Sequence, residues 1–229
     1  RNVGISTKQK RQIKSRKRVV DHGEVFTNER EVKAMCDLVG DECNRIDSRF
    51  LEPACGDGNF LAEILTRKLN AVRKRYGRNL YDYERYSILA VSSIYGVDIM
   101  SDNVTECRER LYKIWNRRYA AKAKKLINEK IRGTAKYILS KNILCGDALT
   151  LLQNNGQPIV FAEWTMVNGD QFKRRDYELA ELLRAESNGN SNVKSRKQEA
   201  LLNNSDDKPE LARIVREFPL MSMTEVANV

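Results

Sequence analysis

Histidine occurs once in the 229 residues, at His22, and no Cys-x-x-Cys pair is present. The five cysteines (36, 43, 55, 107 and 145) are odd in number and irregular in spacing. Together these features argue against a structural zinc site or a disulfide framework, and no metal ligand set is expected. Proline is scarce, with only Pro53, Pro158, Pro209 and Pro219, so no Pro-Pro pair exists. No run of eighteen apolar residues occurs, and no charged–apolar–small signal pattern opens the chain at Arg1. A soluble, cytoplasmic protein with no membrane partner is the expectation. Acids are outnumbered: 31 Asp and Glu against 41 Lys and Arg give a net charge of +10. A basic balance of this size favours polyanions, nucleic acid first.

The charge is unevenly placed. Residues 1–20 carry eight Lys or Arg and no acid. This basic arm reads either as a tail that binds nucleic acid or as a solvated helix face. Residues 21–185 read as one α/β unit. Residues 186–229 open with an Asn/Ser/Gly-rich linker, and short helices are expected over 196–204 and 209–217.

The informative stretch is Phe50-Leu51-Glu52-Pro53-Ala54-Cys55-Gly56-Asp57-Gly58-Asn59-Phe60. A short apolar run ends in an acid, a two-glycine turn follows, Asn59 can cap a helix, and Phe60, Leu61, Ile64 and Leu65 repeat at helical spacing. That is the strand–turn–helix corner of an open α/β sheet, whose ligand crevice lies at the carboxyl ends of the strands. The third glycine of a dinucleotide loop is missing, and Asp57 suits a phosphate poorly. Ile94-Tyr95-Gly96-Val97-Asp98-Ile99 is a second strand ending in a carboxylate. An acid there can accept ribose hydroxyls of either NAD or S-adenosylmethionine. Lys141 to Leu149 supplies a third strand and turn, Gly146-Asp147-Ala148. Pro158–Trp164 is the expected fourth strand. Helices are expected from Thr27 or Asn28 to Gly40 (Val32, Met35, Leu38 and Val39 inward), over Asn59–Arg75 and Tyr81–Ser92, and from Asp102 to about Asn128 with Gly133 as a break. Another is expected from Phe172, with Tyr177, Leu179, Leu182 and Leu183 inward.

The series Phe26-Thr27, Glu52-Pro53-Ala54-Cys55-Gly56-Asp57-Gly58-Asn59-Phe60, Gly96-Val97-Asp98-Ile99 and Gly146-Asp147-Ala148-Leu149 resembles the S-adenosylmethionine-dependent DNA amino-methyltransferases. Modification subunits of restriction systems that methylate adenine at N6 are among them. The resemblance implies a Rossmann-like open sheet with helices on both faces, truncated or divergent in its C-terminal half. It also implies that S-adenosylmethionine is held by Phe26, Thr27, Glu52, Pro53, Ala54, Gly56, Asp57, Gly58, Asp98, Ile99, Gly146, Asp147 and Ala148. DNA and a specificity or restriction subunit are the implied partners. Asn28 stands where that family usually has proline, and the helix start survives the change because asparagine caps well.

The resemblance breaks after the fourth strand, where the family carries Asp/Asn/Ser-Pro-Pro-aromatic. That element accepts both hydrogens of the weakly nucleophilic exocyclic amine and stacks on a flipped base. This chain has Thr165-Met166-Val167-Asn168-Gly169-Asp170, in which Asn168 is the candidate amide oxygen and catalytic residue. Two further readings stand beside a methyltransferase. One is a methyltransferase-like module that binds cofactor and nucleic acid but is inactive alone. The other is a non-DNA methyltransferase or nucleotide oxidoreductase on the same fold. If the arm binds phosphates, removing residues 1–18 will weaken duplex DNA binding. The slope of log K against log salt should then shrink by about 0.9 for each phosphate that is no longer neutralised. An unchanged slope in a salt titration would leave the arm a solvated face.

Overall fold

The computed structural model describes residues 27–181 and 214–228, together with Ser15 and Leu183. The basic arm apart from Ser15, Phe26, Leu182 and the helix expected over 196–204 lie outside the described residues. Within them the protein is a mixed α/β structure with two sheets, one of them parallel.

Helix α1 (Glu29–Leu38) starts at Asn28, whose side chain accepts the Arg30 amide while Glu31 reaches back to the Asn28 amide, a reciprocal capping box. Its inward face is narrower than expected. Val32 and Cys36 are buried, whereas Leu38 is 87% exposed. A single i, i+4 pair is enough to seat so short a helix. Gly40 does not end the helical region but opens α2 (Gly40–Asn44).

Strand β1 (Phe50–Glu52) leads through the glycine turn into α3 (Asn59–Tyr76), which folds back on α4 (Leu80–Ser92). Strand β2 (Ile94–Asp98) is followed by α5 (Ser101–Ala123), α6 (Glu129–Asn142) and β3 (Ile143–Cys145). The break between α5 and α6 falls at Lys124, whose φ of 54° is left-handed. It does not fall at Gly133, which is carried inside α6. Asn128 caps α6 by accepting the Lys130 amide, and this fixes where the new helix begins.

β1, β2 and β3 form one parallel sheet in that order, with Phe50 opposite Ile94 and Gly96 opposite Ile143. Side chains alternate between the two faces of such a sheet. Phe50, Ile94 and Ile143 enter the main core with Leu61, Ile64, Leu65, Ile88, Leu111, Trp115 and Ile138 of the helices. Leu51, Tyr95, Val97 and Leu144 enter a second cluster with Ile159, Phe161, Leu179 and Leu183.

The expected fourth strand forms as β4 (Val160–Met166), but it does not extend the parallel sheet. It pairs antiparallel with β5 (Gln171–Glu178), in a segment where the sequence predicted a helix. The buried positions of β5 are Phe172, Arg174 and Asp176, a period of two. Their charges hid the alternation. Arg174 meets both oxygens of Asp176 at 2.7 and 2.8 Å and lies over the Phe218 ring at 4.1 Å, so guanidinium and carboxylate go inside as a neutralised pair. β6 (Ile214–Glu217) and β7 (Met221–Ser222) both pair with β5, so the helix expected over 209–217 is a strand where it is described. The adjacent β-branched Ile214 and Val215 favour that outcome. Phe218, Met221, Met223 and Val226 then join the main core.

Lys68 of α3 is fully buried. Its Nζ donates to the carbonyls of Arg45 (2.7 Å), Ile46 (3.2 Å) and Ser48 (2.6 Å), and it lies 5.2 Å from the Phe50 ring centre. Three acceptors match the three hydrogens of an ammonium and fasten α3 to the loop entering β1. Burial pushes this lysine down to about 7. Between that value and the ordinary one near 10.4, the unfolded chain holds a proton that the folded chain gives up, so this group makes stability rise with pH across the interval. Lys68→Met should cost about 3 kcal/mol in urea unfolding at pH 7, because it strips donors from buried carbonyls. The gap from the parent should widen from pH 7 to 10.

Candidate functional site

The three parallel strands end side by side. Glu52 is the last residue of β1 and sits opposite Gly96; Asp98 ends β2 opposite Cys145; Gly146-Asp147 follows β3. Asp98 lies at the centre. Its Oδ2 accepts the Gly56 amide at 2.9 Å, and its Oδ1 accepts the Met100 amide at 2.8 Å and the Asn103 side-chain amide at 3.1 Å. Its backbone carbonyl accepts the Gly146 amide at 3.0 Å. One residue thus holds the turn after β1, the start of α5 and the turn after β3. A carboxylate offers about four acceptor positions, so these three donors leave Asp98 room for about one more.

The glycine turn is built for close approach. Gly56 (φ 53°) and Gly58 (φ 85°) are both left-handed, a region most side chains avoid. The Cys55 amide bonds back to Val97 at 2.9 Å and the Gly58 amide to Cys55 at 2.9 Å, folding the turn over the end of β2. A β-carbon at Gly58 would lie 2.6 Å from Cys107 Sγ. Gly58 occupies the cap position of α3, and Asn59 is released from the capping role predicted for it. Its side chain instead accepts from Arg110, donates toward the Thr27 carbonyl at 3.5 Å, and so ties the turn to the chain ahead of α1. Arg110 also pairs with Asp57, whose Oδ1 is buried without a partner.

Glu52 is only partly accessible. Burial raises its carboxyl to about 7, against the one favourable contact from the Ala54 amide. The neutral acid is favoured as the pH falls below that value, so an ionised Glu52 at neutral pH is a carboxylate in want of a cation. Pro53 and Ala54 are exposed beside it. Ile99, 43% exposed, adds an apolar surface next to Asp98. Gly146 is packed under the Leu152 carbonyl, Asp147 accepts the Leu149 amide at 2.8 Å, and Ala148 packs on the second cluster. Thr27 is exposed near Asn59. The predicted cofactor residues within the described chain are therefore gathered around one edge. Arg110, Asn103 and Cys107 were not predicted there. They recur at spacings of four and three on the α5 face that meets the glycine turn, a helical signal available in the sequence.

Asn168 is not brought to this edge. β4 begins beside it, since a β-carbon on Gly146 would touch Ile159 at 2.9 Å. It then runs toward the amino ends of the parallel strands, where the Trp164 indole donates to Asn142, just ahead of β3, at 3.0 Å. The next turn holds Asn168, whose carbonyl accepts the Gln171 amide at 3.0 Å, and Gly169, which faces the Tyr81 hydroxyl near the start of α4. Asn168 is a hairpin residue at the opposite end of the sheet, because β4 reverses direction instead of joining the parallel strands. Among the described residues no cluster of His, Cys, Asp or Glu could hold a metal ion.

No protein-family model matches the chain, and no match is found among curated proteins or solved structures. The site is therefore defined by its own geometry. Gly58→Ala must place a side chain in a left-handed conformation and against Cys107. It should lower stability by about 2 kcal/mol in denaturant unfolding. In a double-mutant cycle, Cys107→Ala should recover the steric part of that loss.

Proposed function

We propose that the edge formed by Glu52, the Gly56–Gly58 turn, Asp98 and Gly146-Asp147 binds S-adenosylmethionine, and that the protein is a DNA amino-methyltransferase of the modification-subunit type. The observation that carries this reading is the meeting of three separately predicted segments around Asp98, at the carboxyl ends of neighbouring parallel strands. The residues suit the ligand. Glu52 supplies an under-paired carboxylate for a cationic amino acid, Asp98 an acceptor for one ribose hydroxyl, and Ile99 a face for a purine. The ligand supplies an activated methyl group on a sulfonium. The glycine turn keeps its backbone free of side chains where that ligand must lie, and the net charge of +10 suits a DNA partner.

A second reading is favoured by the position of Asn168. Asn168, the amide acceptor predicted from the sequence, lies at the far turn and not on the crevice, so it is not placed to orient an exocyclic amine there. In this reading the chain is a cofactor-binding module that gains transfer activity only with a specificity or restriction subunit. Both readings keep the Rossmann-like relationship of the parallel strands, and both take β4 and β5 as the point of divergence.

Isothermal calorimetry with S-adenosylmethionine tests the shared part. Asp98→Ala should weaken binding by at least about 1.5–3 kcal/mol, the range for a hydrogen bond to a charged group, because it removes a ligand acceptor and also frees the Gly56 turn. The parent should bind more weakly as the pH falls through 7, because Glu52 takes up a proton, and Glu52→Gln should flatten that dependence. Equal binding by both variants at all pH values would remove the cofactor from this edge. Tritium transfer to mixed-sequence DNA separates the two readings: turnover by the isolated chain supports the enzyme, and turnover only with an added subunit supports the module.

A further inference from the structure

We infer that the far ends of the two helical hairpins, α3–α4 and α5–α6, form a binding surface for the phosphate backbone of nucleic acid, separate from the cofactor edge. This inference does not depend on the chemistry proposed above. α3 starts at the glycine turn and, at 1.5 Å per residue, carries its C-terminus about 27 Å away from it.

Residues 73–78 and 117–125 together hold nine Lys and Arg and no Asp or Glu. The first group is Arg73, Lys74, Arg75 and Arg78, all exposed. The second is Arg117, Arg118, Lys122, Lys124 and Lys125 at the end of α5 and the turn beyond it. The two groups share one surface. Arg118 donates to the Asn70 side chain at 2.6 Å, and Lys122 donates to the Gly77 carbonyl at 2.7 Å. The Arg118 guanidinium is held below its usual range by burial, and the neighbouring Arg117 and Arg73 charges push it the same way.

The nearby acids are engaged elsewhere. Asp82 pairs with Arg85, Glu109 with Lys113 and Glu129 with Arg132, while Glu84 accepts the Tyr119 hydroxyl at 2.7 Å. Helix dipoles do not account for the cluster. α3 and α5 end there, and two helix C-termini present about one negative charge in total, felt within the last turn. Nine cations exceed that many times over. The excess is a field suited to a polyanion whose charges are closely and regularly spaced. Arginine supplies five of the nine, and its planar fork suits phosphate oxygens. Within residues 73–78 and 117–126, Leu126 is the one exposed large aliphatic side chain, which is too little apolar area for insertion into a lipid interface. The observations therefore favour nucleic acid over a membrane.

The test is a fluorescence-anisotropy titration of the full chain against a mixed-sequence 24-base-pair duplex, over a range of salt. The variant combines Arg75→Glu, Arg117→Glu and Lys125→Glu, all at exposed positions away from the cofactor edge. A control carries the same charge change at Lys113, Lys173 and Arg175, cations already paired with Glu109 or Glu217. The expected result is a loss of at least tenfold in affinity for the variant, a salt slope smaller by about 2.7, and little change in the control. Cofactor binding measured by calorimetry should be unchanged in the variant, so failure here is distinct from failure of the cofactor proposal. Unchanged duplex affinity and slope would overturn the inference. An equal loss in the control would also overturn it, by reducing the effect to net charge. Tighter binding to vesicles containing phosphatidylserine than to the duplex, abolished in the same variant, would replace nucleic acid with a lipid surface.

Discussion

The Asp98 carboxylate is the constraint on which the candidate site depends. A glycine turn alone is loose, since residues without a β-carbon have many conformations open to them. This one is held because the Gly56 amide has a charged acceptor at 2.9 Å on the neighbouring strand. The same side chain takes the Met100 and Asn103 donors, so the end of β2 and the first turn of α5 are fixed together. The carbonyl of the same residue then places Gly146. Sites built on strand ends in this way are held more tightly than sites on free loops. The parallel register positions three chain segments within reach, and one acid in the middle strand joins them.

The parallel sheet and its helices were legible because their signals are local. Strand ends at Glu52 and Asp98, the glycines at 56 and 58 and the cap at Asn28 each declare themselves within a few residues, whereas the sequence puts the break between α5 and α6 at Gly133, with Asn128 read as a helix end and not as a cap. What was not legible depended on partners far away in the chain. The alternation of β5 was concealed because its inward residues are Arg174 and Asp176, which can be buried only as a pair under Phe218. Lys68 reads as one more cation in a basic helix. Nothing nearby announces that the carbonyls of residues 45, 46 and 48 will surround it. The position of Asn168 could not be inferred either, because it follows from the reversal of β4, a property of strand pairing.

The molecule is organised with two ends. Strand carboxyl ends and the glycine turn occupy one, and the C-termini of α3 and α5 with their cations the other. Long helices make this separation possible. A three- to five-residue strand spans at most about 17 Å, so the helices that connect such strands project well beyond the sheet and pack on one another through Trp115, Ser87 and Tyr119. The β4–β5 hairpin runs along this extension, with the Arg49–Glu163 pair at 2.6 Å and the Tyr95–Ala162 bond at 3.0 Å fastening it to the parallel sheet.

The burial of Met221, Met223 and Val226 against helices from the first two-thirds of the chain bears on how the protein is made. The Thr134 hydroxyl donates to the Met223 carbonyl at 2.5 Å, and Ala227 lies against Gly133, so α6 is finished by residues synthesised long after it. At a translation rate of 5–20 residues per second, the roughly eighty residues separating Asn142 from Val226 correspond to about 4–16 s on the ribosome. Through that interval α6 presents an uncovered apolar flank. Closing that flank is therefore a late step of synthesis, since the residues that cover it are made well after the helix they complete.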